Sequence, residues 1–156
     1  MMASVILREG DLADLGAVMS VMESSFDPAY GEAWTSPQCA GLMPMPGVWV
    51  TLAEDGAGIA GFAMGRVIAD EAELLLLAVK RDRRGRGTGR ALLERFEAIA
   101  AAGGARKLHL EVRDGNPAIK LYEKAGFSEA GRRKSYYHGS DGQVYDALTF
   151  AKLLAR

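Results

Sequence analysis

A single cysteine, Cys39, stands in a chain of 156 residues. An internal disulfide is therefore excluded, and a reducing compartment, the cytoplasm, fits best. Cys39 lies among Ser36, Pro37, Gly41 and Pro44, a stretch that reads as loop, with no base beside it in sequence to activate a thiolate. Histidine is nearly as scarce. Neither His109 nor His138 has a second ligand-type neighbour at metal spacing, so no zinc site is expected. An excess of charge is lacking too: 19 basic against 20 acidic side chains leave a net charge of −1. No global field then favours nucleic acid or an acidic membrane as partner. No apolar run approaches the ~20 residues that cross a bilayer, and Met1 to Gly10 has no basic region followed by an apolar stretch, as a secretory signal would. Without repeats, low-complexity tracts or linkers, the chain reads as one soluble domain over residues 1–156.

What is present alternates between two periodicities. Ser4 to Arg8 reads as a strand, and Asp11 as the cap of a helix carrying Leu12, Leu15, Val18, Met19, Met22 and Phe26 at helical spacing. Prolines and glycines then break the pattern from Asp27 to Gly47, predicting a long loop with one short helix near Gln38 to Met43. Val48 to Ala53 and Gly58 to Val67 predict two strands, and the apolar run Leu74 to Val79 a central strand covered on both faces. An amphipathic helix with Leu92, Leu93, Phe96, Ile99 and Ala100 inside runs to Gly103-Gly104. Lys107 to Arg113 is the next strand, and Asn116-Pro117 opens a helix that Gly126 closes. Phe127 to Tyr137 and Val144 to Leu153 complete a mixed α/β domain.

The most distinctive segment is Arg84-Gly85-Arg86-Gly87-Thr88-Gly89, set between an apolar strand and a helix. Free amides and partial positive charge at a helix N-terminus attract an anion, and glycine lets the main chain approach it closely. Lys80, Arg81, Arg83, Arg84, Arg86 and Arg90 add charge for a phosphate-rich ligand. No Gly-Lys-Ser/Thr ends the segment, so it is no Walker loop. Its glycine order also differs from a dinucleotide fingerprint. A solvated basic loop without a ligand is the alternative. A nucleic-acid patch fits less well, because few aromatics interleave with the arginines.

These residues, continued by Arg90-Ala91-Leu92-Leu93, resemble the acetyl-CoA pyrophosphate loop of the GNAT N-acetyltransferases. Leu110-Glu111-Val112-Arg113, Asn116, and Leu121 through Phe127 resemble that superfamily's second half. Gly131 through Tyr137, with Asp146-Ala147-Leu148, is similar to its bacterial ribosomal-protein-alanine N-acetyltransferase branch. Two departures stand out: the interval from Asn116 to Tyr122 is one residue shorter, and the loop from Asp27 to Gly47 longer, than in that branch. The resemblance implies a mixed sheet of about seven strands, splayed after the fourth and flanked by about four helices. It further implies that the backbone of Leu77, Ala78 and Val79 pairs with the pantetheine arm of acetyl-CoA. Amides from Gly85 to Arg90, beside Arg84, would hold the pyrophosphate, and Asn116 would meet the cofactor near its thioester.

Acetyl transfer needs a neutral amine, whereas an α-amine titrates near ~8 and lysine near ~10.4. Glu111, which interrupts Leu108, Leu110 and Val112, is the candidate base. Alternatively it is a surface glutamate on a half-exposed strand. Tyr122 resembles the family's general acid for the departing thiolate. It could equally pack an amphipathic helix with Leu121 and Phe127. In the resembling branch Tyr136 and Tyr137 lie beside the acceptor peptide; as adjacent strand residues, one could be core and one exposed. The acceptor expected is a protein N-terminus, with a small amine or a lysine side chain as runner-up. A CoA-binding module without turnover is the third reading, and retention of both Glu111 and Tyr122 speaks against it.

Overall fold

The computed structural model describes residues 4–154, so the first three and last two residues of the expected domain, including Met1 at the expected strand-like N-terminus, lie outside the described residues. Seven strands form one sheet: β1 (Ile6–Gly10), β2 (Val48–Asp55), β3 (Gly58–Ile68), β4 (Glu71–Val79), β5 (Lys107–Arg113), β6 (Ser128–His138) and β7 (Val144–Leu153). Their spatial order is β1-β2-β3-β4-β5-β7-β6, and only the central pair β4–β5 is parallel. A parallel pair needs a crossover, which is supplied by helix α3 (Thr88–Ala102). The other helices are α1 (Leu15–Ser25), α2 (Ser36–Leu42) and α4 (Ile119–Lys124). This is the seven-stranded, four-helix mixed architecture expected.

Strand alternation divides the apolar side chains between two cores. Ala53, Ala63, Ala72 and Leu74 pack beneath α3 with Leu92, Leu93, Phe96 and Leu110. Leu52, Phe62, Met64, Leu76 and Ala78 pack on the other face with Val18, Val21 and Met22 of α1 and Cys39 of α2. Leu74 and Leu76 thus serve opposite faces although two residues apart. The reason is a bulge: Gly65 pairs with Leu74 and Met64 with Leu76, leaving Leu75 as the extra residue. The pairing of β4 with β5 ends at the same place, running only from Glu71↔Lys107 to Leu74↔Leu110. Beyond it the two strands diverge, and the sheet opens.

Several boundaries differ from expectation for local reasons. Asp11 caps a 3-10 turn, Leu12–Asp14, and α1 starts only after it. The segment from Asp27 to Gly47 is more ordered than a loop. Thr35 and Gln38 form a capping box, and Pro37 lies in the first turn of α2, where its missing N–H costs nothing. Cys39 is consequently not in a loop but fully buried in the α1 core, and burial raises its thiol pKa, away from nucleophilic use. Asn116 does not cap α4 directly. Its Oδ1 accepts from Ala118 N at 2.8 Å in a local turn, and the α-helix begins at Ile119. Among the described residues no helix is long and apolar enough to cross a membrane.

Candidate active site

The opening between β4 and β5 is one cleft of about 790 Å³, within the range of small-molecule sites. Its floor at one end is the turn into α3. Gly87, at φ 82°, precedes the helix, and the first intrahelical bond is Ala91 N to Gly87 O. The amides of Thr88, Gly89 and Arg90 therefore come before any intrahelical acceptor and are disposed toward an anion.

Arginine side chains near this turn are partly committed elsewhere. Arg83 donates through Nη1 to both oxygens of Asp55 at 2.9 and 3.1 Å, with both side chains largely buried. The Asp55 carboxylate, also accepting from Ala57 N, is held below its usual pKa, first by that amide and then by Arg83. Arg84 turns inward, donating from Nη2 to Ser25 O at 2.9 Å and from Nε to Val79 O at 3.3 Å. Arg90 pairs with Glu94 on the exposed helix face. The phosphate-rich ligand expected from the sequence would thus meet main-chain amides more than a ring of free guanidinium groups. Of the residues expected to meet it here, Lys80 and Arg86 do not line the cleft.

Further along, the exposed edge of β4 is set by alternation. Lys80 N donates to Ala60 O, so Lys80 and Ala78 direct their backbone groups toward β3. Leu77 and Val79 face the opening instead. The Val79 carbonyl already accepts from Ser25 Oγ at 2.7 Å, which leaves the Val79 amide and both backbone groups of Leu77 toward the cleft. Ala78, grouped with them in the sequence reading, is corrected on this point: its backbone belongs to the sheet, although it does line the cleft.

The chemistry-bearing side chains gather where β5 turns toward α4. On β5 the alternation buries Leu108, Leu110 and Val112 and places His109, Glu111 and Arg113 on the other face. Only 13% of the Glu111 side chain is exposed; Oε2 accepts from Thr149 Oγ1 at 2.8 Å and Oε1 is 3.1 Å from Arg133 Nε. Arg133 is itself 62% exposed, so this clasp is solvated on one side. Tyr122 lines the same cleft and packs edge-on to Phe127. Burial, then the neighbouring Glu32 charge, raises its pKa and keeps the hydroxyl protonated. Tyr136 and Tyr137 meet edge-to-face at 5.0 Å on the far wall, and Tyr137 donates to Glu111 O at 3.4 Å.

The tyrosine pair is turned in by a widened bulge. Lys134, Ser135 and Tyr136 stand opposite Asp146 alone, and Ser135 adopts φ 54°, with its amide donating to Asp146 Oδ1 at 2.9 Å. A left-handed conformation costs a non-glycine residue about 1–2 kcal/mol. Ser135→Gly is therefore expected to stabilise the fold by about 0.5–1 kcal/mol, net of glycine's added chain entropy. The check is a raised denaturant midpoint at unchanged slope.

Glu32 and Arg113 are cleft residues to which the sequence reading assigns no role. Glu32, from the segment between α1 and α2, accepts from Arg113 Nε at 3.1 Å and from Asn116 Nδ2 at 2.6 Å. With Oδ1 on Ala118 N, the Asn116 side chain is engaged on both sides, rather than poised for a ligand. Arg113 could have been anticipated as the next residue on the Glu111 face. Glu32 has no such local mark.

A helix N-terminus, an open strand edge, a carboxylate and a buried phenol thus share one cleft. The model of the acetyltransferase (GNAT) family matches residues 16–127. The chain belongs to the GNAT family. Among relatives of this GNAT chain, the [ribosomal protein bS18]-alanine N-acetyltransferase of Escherichia coli K12 is 45% identical over 94 residues, 60% of this chain. The match spans 63% of that protein's length. A Bacillus subtilis protein provisionally named for the same reaction is 30% identical over 148 residues, covering 92% of this chain and 95% of the relative. The crystal structure of the ribosomal-protein-S18-alanine N-acetyltransferase from Escherichia coli superposes with a TM-score of 0.87 at 31% identity, over 98% of this chain and 96% of that one. Among the described residues of the GNAT domain, no group of three or more His, Cys, Asp or Glu side chains is arranged to hold a metal.

Proposed function

We propose that this protein transfers an acetyl group from acetyl-CoA to the α-amine of a protein N-terminus in the cytoplasm, with the N-terminal alanine of a ribosomal protein as acceptor. The observation that carries this reading is the convergence of Glu111 and Tyr122 on the cleft that also holds the α3 N-terminus and the open edge of β4. The amides of Thr88, Gly89 and Arg90 suit a pyrophosphate, and the backbone groups of Leu77 and Val79 suit the amides of a pantetheine arm. The relatives' names supply the acceptor class.

In this scheme Glu111 accepts a proton from the acceptor's ammonium, directly or through water. Thr149 steadies one carboxylate oxygen, while the other is released when the exposed Arg133 swings to solvent. The neutral amine then forms a C–N bond to the acetyl carbon as the C–S bond breaks, and the extra proton on nitrogen passes to solvent, from which Tyr122 is later reprotonated. Tyr122, kept protonated by burial and by Glu32, donates its proton to the departing thiolate. Tyr136 and Tyr137 form the wall on the acceptor's side.

The test is acetyl-CoA consumption with three acceptors: a peptide with free N-terminal alanine, the same peptide blocked at its terminus with an internal lysine, and a polyamine. The α-amine is easier to deprotonate than lysine by about two pKa units. The alanine peptide is expected to lead by at least tenfold in kcat/KM. Equal use of the lysine peptide, or preference for the polyamine, transfers the assignment to the small-amine or lysine class.

A further inference from the structure

Residues 28–34 cross one end of the cleft with little apolar hold of their own. Phe26 and Trp34 pack on the α1 core from either side, and no residue between them belongs to either apolar core. What fixes the segment is polar. We propose that Glu32 is a positioning residue, a latch that holds residues 28–34 across the cleft and thereby fixes the entrance used by the acceptor. The acceptor's part in this rests on the acetyl-transfer reading above; the latch itself does not.

Glu32 and Tyr30 grip one guanidinium from two sides. The Glu32 side chain, only 9% exposed, pairs with Arg113 Nε, and Tyr30 lies beneath Arg113 with 3.7 Å from Cζ to the ring centroid. Tyr145 of β7 meets Tyr30 edge-on at 5.3 Å, and Arg113 Nη1 donates to Asp114 O, so the guanidinium cannot follow if the segment moves. The second Glu32 oxygen takes the Asn116 amide at 2.6 Å, tying the segment to the turn that leads into α4. Removing one member of such a pair strands a buried charge, so the contact is held far more firmly than a surface ion pair.

A second seam lies opposite. Gly31, at φ 67°, leaves no room for a Cβ, which would overlap the His138 carbonyl oxygen, and a Cβ on Gly139 would overlap the Ala29 carbonyl oxygen. Ser140 N donates to Pro28 O at 3.1 Å. Residues 28–34 thus bridge from the β5–α4 turn to the β6–β7 turn, closing the end of the cleft beside Tyr137. The Glu32 charge also contributes, after burial, to keeping Tyr122 and Tyr137 protonated. Beyond the segment and its chain neighbours, the polar contacts described for residues 28–34 go to Arg113, Asn116 and Ser140 and none to residues 84–90, so the effect is expected on the acceptor's side.

The experiment compares wild type with Glu32→Gln, which keeps the shape and removes the charge, and with Gly31→Ala, which opens the opposite seam without altering charge. Hydrogen exchange on the ligand-free full chain is expected to quicken at least tenfold at residues 28–34 in both variants, with α3 and β5 unchanged. The acceptor KM is expected to rise about tenfold, while acetyl-CoA affinity by calorimetry stays within twofold. Unchanged exchange at residues 28–34 in either variant overturns the latch. Faster exchange with an unchanged acceptor KM overturns its role at the entrance, and a parallel loss of acetyl-CoA affinity reduces it to general support of the fold. Exchange needs no turnover, so a wild type that acetylates no amine defeats the functional reading while the latch still stands or falls on exchange.

Discussion

Glu111→Gln is expected to lower turnover of an α-amine peptide by about 10²–10⁴-fold near neutral pH, the usual worth of a general base. The isosteric amide still accepts from Thr149 with one oxygen, so the fold and acetyl-CoA affinity should survive. The deficit should shrink as pH rises past ~8, where more of the amine is neutral unaided. Steady-state kinetics from pH 6.5 to 9.5, with calorimetry of acetyl-CoA, make the comparison. A profile and rate equal to wild type would return Glu111 to a structural role beneath Thr149 and Arg133.

The second large effect lies at the other end of the cleft. Gly87 holds φ 82° immediately before α3, a conformation that a β-branched residue adopts only under strain. Gly87→Val should re-aim the amides of Thr88, Gly89 and Arg90 away from a common point. Acetyl-CoA affinity is expected to fall at least a hundredfold by calorimetry. Because the turn is exposed, thermal stability without ligand should drop only modestly. Unchanged affinity would remove this turn from the binding site.

Much of the architecture is legible because period and punctuation agree. Lys107 to Arg113 is read to the residue because its polar and apolar side chains alternate, and Val144 to Leu153 because turn residues precede it. The first turns of β4 are less visible. Glu71 and Glu73 look like the end of a loop, yet Glu73 pairs across the ladder with Arg66 and sits comfortably in a strand. Pro37 reads as a breaker when only its neighbours are considered, whereas the Thr35 cap makes it a helix starter. Asn116 carries the right residue type for a cap but spends its oxygen one turn early.

The candidate site divides along the same line. Glu111, Tyr122 and the turn before α3 come from contiguous patterns in one half of the chain. The Glu32–Arg113 pair joins residues 81 positions apart, and nothing in the local sequence Gly31-Glu32-Ala33 distinguishes it from a solvated loop. Its meaning is created only when the chain brings the segment after α1 over the end of β5. Arg84 is the opposite case: a conspicuous cation in a basic run, it lines the cleft but donates to two backbone carbonyls.

The bulge at Leu75 has a further consequence for how the cleft recognises anything at all. By steering β4 away from β5 it creates a sheet edge in the middle of a sheet, and unpaired edges ordinarily invite foreign strands. Here the adhesive stretch lies recessed between two halves of one domain, where a passing strand cannot lie down but a slender chain of amides can. Recognition along Leu77 and Val79 would then be written in N–H and C=O groups that every residue possesses. Side chains at those positions are free to vary, so long as the strand keeps its extra residue and its gap.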